Sequence, residues 1–156
     1  LEVTDRPLEG FFQNRRYVFI NEGEEHQETR EPVTLMRVKS LITFPRHGEV
    51  VQPGTVTLTG YAWSGEAAII RVEVSTTGGR TWSDAALSDA PGENAWRPWR
   101  FQWNAGHAGH YIMKVRATDA SGRTQPDSIP WNFRGYANNS IQTIAVEVPS
   151  TSDPHP

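Results

Sequence analysis

The chain has 156 residues, of which 37% are hydrophobic, and its formal net charge is −3. This length allows one domain with a substantial core plus a short arm. The slightly acidic balance argues against a nucleic-acid partner, because phosphates select basic surfaces. The sequence contains no cysteine, which excludes disulfides, thiolate metal sites and cysteine catalysis. No apolar run approaches the roughly 18 residues of a membrane-spanning helix.

Residues 1–33 differ in composition from the rest and are expected to form an N-terminal arm. The stretch from 7 to 19 carries four aromatic residues and two arginines, and an acidic, polar stretch follows at 21–28. Such an arm cannot form a core alone. It must therefore dock either on its own domain or on a neighbouring domain that this sequence lacks. We expect it to be a linker from a preceding domain.

Residues 34–149 alternate between apolar and polar side chains in short runs separated by glycine or proline, which is typical of strands with one buried face. The predicted strands cover residues 38–43, 55–63, 68–75, 81–87, 99–103, 111–119 and 141–148. No sustained helical periodicity is present. The pattern predicts an all-β, immunoglobulin-like antiparallel sandwich. Residues 150–156 are small, polar or proline, and are expected to be a flexible tail.

The hairpin around residues 70–82 carries the clearest local signals. Gly78 and Gly79 follow an alternating strand and can adopt positive φ, as a tight turn requires. Trp82 then caps the hairpin or starts the returning strand. In the preceding strand, Val56, Leu58 and Trp63 are expected to face the core.

Candidate chemical sites in this region are weak. His107 and His110 have a metal-like spacing, but they lie in a glycine-rich turn without a third ligand and are interpreted as part of a solvated loop. Asp84, Asp89 and Glu93 are scattered rather than paired, so a calcium site there is disfavoured. No nucleophile elbow, phosphate-binding loop or dinucleotide glycine motif is present. No complete active site is expected in this chain.

Arginines are the more informative polar residues. Arg134 lies in an aromatic loop beyond two prolines, and a guanidinium held there is suited to binding an oxyanion through its planar donor fork. A surface or ion-paired arginine is the alternative interpretation. Arg97, Arg100 and Arg116 alternate with apolar residues on strands and are expected to form solvated faces.

Several short segments resemble the C-terminal dimerisation domain of the sulfite oxidase family of molybdenum-cofactor oxidoreductases. They occur in the same order as in that family and extend along nearly the whole chain. The matching segments are residues 12–17 (FQNRRY), 40–45 (SLITFP), 60–65 (GYAWSG), 71–75 (RVEVS), 78–82 (GGRTW), Trp96, Trp99, 116–119 (RATD), 125–126 (QP) and 132–136 (NFRGY). The GYAWSG segment followed by the GGRTW hairpin is the most specific part.

The resemblance implies a homodimer whose parent enzyme holds molybdopterin in a preceding domain and oxidises sulfite or a related sulfur oxyanion. Electrons would pass to a haem or cytochrome, and the location would be the bacterial periplasm. It also implies that Arg134 reaches toward the substrate anion. Phe133 stands where the family often has an aliphatic residue. This chain itself would bind no cofactor or metal, and membrane and nucleic-acid partners are not expected.

Two other functions remain open from the sequence. One is a stand-alone immunoglobulin-like module for adhesion or scaffolding, which would not need residues 1–33. The other is the equivalent domain of a nitrate reductase. Only the sequence of the molybdenum domain, which is absent here, or a substrate assay would distinguish it from a domain of a sulfite-oxidising enzyme.

Overall fold

The computed structural model describes residues 5–6, 10–23, 31–92, 94–129 and 131–150. Except for Ser150, the expected flexible tail lies outside the described residues. A short helical segment, Phe12–Arg16, precedes nine strands. The strands are β1 (Lys39–Phe44), β2 (Glu49–Val50), β3 (Gly54–Trp63), β4 (Ile69–Ser75), β5 (Ser83–Asp84), β6 (Ala86–Leu87), β7 (Arg97–Ala105), β8 (Gly109–Asp119) and β9 (Gln142–Val148). No helix in these ranges is long and apolar enough to cross a membrane.

The chain divides into two compact units. We call residues 36–128 and 139–156 the sandwich unit, and residues 1–35 and 129–138 the arm unit. Residues 129–138 thus group with the arm, although they follow the strand-rich part of the sequence.

The sandwich unit has two sheets. One has the strand order β1-β3-β7-β6 and the other β2-β9-β8-β4-β5. All pairs are antiparallel except β2 with β9, which is parallel. This arrangement confirms the predicted immunoglobulin-like sandwich, with one parallel pair added to the antiparallel scheme.

The core lies between the inner faces of the two sheets. Leu58 and Met113 are fully buried, and Trp99 is 2% exposed. The prediction for Leu58 is therefore confirmed, and the one for Trp63 is wrong. Trp63 lies five positions after Leu58, so the two-residue period of β3 turns its side chain to the opposite face, where it stacks on Trp96 at 4.5 Å.

The predicted strand at 81–87 is two strands in two sheets. β5 pairs with β4, whereas β6 pairs with β7. The chain changes sheet at Ala85, whose amide donates to the carbonyl of Val72 at 2.8 Å. The sequence could not reveal this change, because strands of two residues are too short to show a period or to indicate which sheet they join.

Two of the three arginines expected on solvated faces are instead structural. Arg97 donates to the carbonyl oxygens of Ser88 at 2.9 Å and Ile69 at 2.6 Å. Arg116 pairs through two nitrogens with Glu73, whose side chain is 7% exposed, and lies 4.2 Å from the ring centroid of Trp82. Arg100 is exposed, as predicted.

The hairpin has the predicted turn chemistry. Gly78 and Gly79 have φ of 71° and 98°, a region that side chains with a Cβ rarely adopt. Trp82 caps the turn, because its Nε1 donates to the carbonyl of Gly79 at 3.1 Å.

Asp119 ends β8 as a fully buried carboxylate. It accepts hydrogen bonds from the Ser64 hydroxyl at 2.9 Å, the Ser121 hydroxyl at 2.5 Å and the amides of Ser121 and Arg123, each at 3.1 Å. Burial raises the pKa of Asp119, but these hydrogen bonds outweigh it and leave the pKa below its ordinary value.

Candidate functional site

The candidate site lies in the arm unit, where two distant parts of the chain meet. Val18, Phe19 and Ile20 are buried, at 0%, 6% and 6% exposure. Asn21 forms a β-bridge with Asn132, and the amide of Phe133 donates to the carbonyl of Ile20 at 2.9 Å. Main-chain bonds therefore fix the start of the 132–136 loop.

Asn132 closes that loop with its own side chain. Its Oδ1 accepts from the amide of Tyr136 at 3.0 Å, and its Nδ2 donates to the carbonyl of the same residue at 3.1 Å. The amide of Gly135 donates to the Asn132 carbonyl at 3.0 Å, and Gly135 has a φ of 65°. Asparagine is well suited to such a turn, because its amide mimics main-chain hydrogen bonding. These hydrogen bonds close the loop on both sides of Arg134.

Arg134 stands at the tip of this loop, half-buried. Its NH1 donates to the carbonyl of Arg15 at 3.3 Å. Arg15 and Arg16 are exposed and form the last turn of the helical segment. None of the ion pairs among the described residues involves these three arginines. The loop and the helical segment therefore bring positive charge together without a described carboxylate to neutralise it, which favours an anion.

A run of aromatic rings lies in the same unit. Phe12 stacks on Tyr17 at 6.1 Å, and Tyr17 lies 6.0 Å from Tyr136. Phe12 is 62% exposed and Phe133 is 66% exposed, although both are large and apolar. A surface with this composition is typical of a contact with another protein surface.

The structure places the other candidate residues elsewhere. His107 and His110 are exposed at the β7–β8 turn, and Asp84 pairs with Arg71 at 2.6 Å. Glu93 lies outside the described residues. In the described part of the chain, no group of three or more metal-ligating side chains could hold an ion. These residues and the cysteine-free sequence offer no fit for a molybdenum centre.

Arg134 was predicted as a site residue from the sequence, whereas Asn132, Arg15 and Arg16 appeared there only as members of the matching segments and were given no role. The asparagine two positions before the arginine and the glycine after it are turn signals that could have indicated a closed loop. Nothing in the sequence pairs Arg15 with Arg134, because 119 positions separate them.

Comparisons with known proteins agree with these observations. The family model of the Mo-co oxidoreductase dimerisation domain matches residues 30–149. The mitochondrial sulfite oxidase of Macaca fascicularis is 42% identical over 123 residues, or 71% of this chain. The structure of the sulfane dehydrogenase SoxCD from Paracoccus pantotrophus is similar over 92% of this chain, at 28% identity and a TM-score of 0.74.

A nitrate reductase of Arabidopsis thaliana is 34% identical over 128 residues, or 72% of this chain. The chain spans only part of these relatives: 22% of the sulfite oxidase, 14% of the nitrate reductase and 38% of the sulfane dehydrogenase chain. Most of the length of each relative therefore has no counterpart in this sequence.

Proposed function

Because the chain belongs to the Mo-co oxidoreductase dimerisation domain family, we propose that it is the dimerisation and substrate-pocket domain of a molybdenum-dependent enzyme that oxidises sulfite or a related sulfur oxyanion. Molybdopterin and the metal would be held by another domain of the parent protein. That domain would perform the electron transfer, with a haem or cytochrome as acceptor. This chain would supply the symmetric contact and one cationic side chain.

The observation that carries the substrate role is the placement of Arg134. Its guanidinium leaves a loop that Asn132 closes, and no described carboxylate pairs with it. A planar donor fork can bind two oxygens of an anion such as sulfite, and a fixed charge loses little entropy on binding. The neighbouring Arg15 and Arg16 would raise the local anion concentration.

The arm is proposed to dock on the domain that holds molybdenum. Residues 1–33 would lead from that domain, residues 34–149 would form the dimerisation domain and residues 150–156 the tail. The exposed rings of Phe12, Tyr17 and Phe133 support this proposal, because a protein surface buries such rings at a gain of about 25 cal/mol per Å².

A periplasmic location in a bacterium is also proposed. The support for this proposal is the structural similarity to the Paracoccus pantotrophus protein over 92% of the chain. Fractionation of the source cells, with the parent protein detected by antibody, tests this location.

Steady-state kinetics of the parent enzyme test the role of Arg134. Arg134→Ala should lower kcat/KM for sulfite roughly 10- to 100-fold, mainly through KM, because a hydrogen bond to a charged group contributes about 1.5–3 kcal/mol. Arg134→Lys should retain part of the activity. Arg80→Ala is the matched control, since Arg80 is exposed on the sandwich hairpin. An Arg134→Ala enzyme with unchanged KM and kcat would refute the assignment.

Nitrate reduction is the second candidate, favoured by the 34% identity to the nitrate reductase. Nitrate is also an oxyanion, so the arginine loop fits both substrates. Parallel assays of sulfite oxidation and nitrate reduction with the parent enzyme distinguish the two.

A further inference from the structure

The segment that carries Arg134 is closed at its base by residues of the sandwich unit. Residues 129–138 belong to the arm unit, whereas the residues directly before and after them belong to the sandwich unit. The amide of Ile141 donates to the carbonyl of Pro126 at 3.0 Å, which joins the chain before this segment to the chain after it. We call the two joined stretches the base of the segment: residues 125–126 and 139–141.

The side chain of Gln125 lies at the centre of this base, and Gln125 is 3% exposed. Its Nε2 donates to the carbonyls of Asn139 and Ser140, each at 3.3 Å. Its Oε1 accepts from the Ser40 hydroxyl at 2.5 Å and from the Ala117 amide at 3.0 Å. The amide group therefore uses both of its donors and both of its acceptor positions, and it joins the returning chain to β1 and β8.

Asn139 adds a second buried amide to the base. It is 7% exposed, and its Nδ2 donates to the carbonyl of Val38 at 3.3 Å. Val38 lies two residues after Met36, where the sandwich unit begins. The chain thus passes between the two units at three places, and residues next to these places bond to one another inside the sandwich unit.

We propose that Gln125 and Asn139 are positioning residues for Arg134, an inference that rests on the substrate role proposed for that arginine. A segment whose two ends are held together samples fewer conformations than one with free ends. The Asn132 turn closes the same segment near its tip, so the base and the turn restrict it together. Without the base, the guanidinium would spend less time in the geometry that binds an anion, which weakens binding.

The chemistry of the base favours positioning over packing alone. Each hydrogen bond must keep its distance and angle, so a fully bonded buried amide specifies one arrangement, which an apolar side chain of the same volume does not. The bonds from Gln125 Nε2 end on two successive main-chain carbonyls. They therefore fix the course of the backbone that returns from Arg134, and not only one side chain.

Steady-state kinetics of the parent enzyme with sulfite test this proposal. Gln125→Glu keeps an acceptor for Ser40 and Ala117 but removes the donor to the two carbonyls, so it should raise KM about 3- to 10-fold with little change in kcat. Asn139→Ala removes one bond and should raise KM about 2- to 3-fold. Circular dichroism verifies that both variants are folded, and Asn139→Ala alone decides the test if Gln125→Glu does not fold.

Ser75→Ala is the matched control for the loss of a buried polar group. Ser75 is 1% exposed, and its hydroxyl accepts from the amides of Thr77 and Gly79 within the same hairpin. Ser75→Ala should lower the urea midpoint and leave KM unchanged, because its bonds do not reach the base.

The Arg134→Ala background distinguishes positioning from general damage. If Gln125 acts through Arg134, Gln125→Glu should not raise KM further in that background. Equal fold-increases in KM with and without Arg134 would overturn the positioning role. A raised KM in Arg134→Ala beside an unchanged KM in the folded base variants would overturn this inference and leave the proposed function intact. An unchanged KM in Arg134→Ala itself would overturn the proposed substrate role and this inference with it.

Discussion

The two units differ in how far they bury their largest aromatic residues. In the sandwich unit, Trp99 and Trp103 are 2% and 6% exposed, whereas in the arm unit Phe11, Trp131 and Phe133 are 58–66% exposed. The sandwich unit contains its own core and satisfies nearly all of its described buried polar side chains, with the Trp99 Nε1 as the exception. The arm unit has a small buried centre and a large apolar surface. The exposed rings are consistent with the contact role proposed for the arm unit, and the buried rings stabilise the sandwich unit.

The buried carboxylate of the sandwich unit gives the largest predicted effect. Asp119→Ala should lower the free energy of unfolding by about 3 kcal/mol, because it leaves several buried donors without an acceptor. Urea unfolding measures this loss. Asp127→Ala is the control, since its side chain is 80% exposed and 3.8 Å from Lys114; it should cost less than about 0.5 kcal/mol. A loss below about 1 kcal/mol for Asp119→Ala would show that this network is not structural.

The ion pairs of Glu73 give the next effect. Glu73→Ala should cost about 2 kcal/mol, because it leaves the partly buried Arg116 without its carboxylate partner under the Trp82 ring. Arg71 pairs with Glu73 at 3.1 Å and with Asp84, whose side chain is 65% exposed, so Asp84→Ala should change stability by less than about 0.5 kcal/mol. Thermal or urea unfolding compares the two variants, and equal losses would contradict the distinction between buried and exposed pairs.

In the arm unit, the predicted effect concerns activity rather than stability. Asn132→Ala should lower kcat/KM for sulfite about tenfold in the parent enzyme, because Arg134 would leave a loosened loop. The urea midpoint of the sandwich unit should not change. Asn132→Asp keeps the acceptor for the Tyr136 amide but loses the donor, so it should recover part of the activity. Unchanged kinetics in Asn132→Ala would show that the loop does not position Arg134.

The pH dependence of stability gives the smallest effect. The pKa of Asp119 is lowered in the folded state, so in acid the unfolded chain binds more protons at this group than the folded chain does. The stability that the charged Asp119 contributes is therefore lost as the pH falls through the pKa that Asp119 has in the folded state. Stability from this group should be complete above about pH 5, since the ordinary pKa is near 4. The difference in unfolding free energy between wild type and Asp119→Asn should narrow below that pH. A constant difference from pH 6 to pH 3 would contradict the lowered pKa.

Local sequence signals were sufficient for most of the long strands but not for the change of sheet or for the site. The two-residue period placed β3, β4, β8 and β9 within one or two residues, and the glycine pair fixed the hairpin turn. The chain changes sheet at Ala85 because its amide bonds to the carbonyl of Val72. Arg97 is half-buried because it bonds to the carbonyl of Ile69. Both partners are distant in the sequence. For the same reason, the sequence indicated Arg134 as a candidate but not the Asn132 turn or the Arg15 carbonyl that hold it.

The central claim is that the guanidinium of Arg134 binds the substrate anion, and chemical rescue tests it most directly. Added guanidinium at millimolar, non-denaturing concentration should raise kcat/KM for sulfite of the Arg134→Ala parent enzyme several-fold. Urea, which has a similar shape without the charge, should not. Equal responses to guanidinium and urea, or no response to either, would contradict the claim.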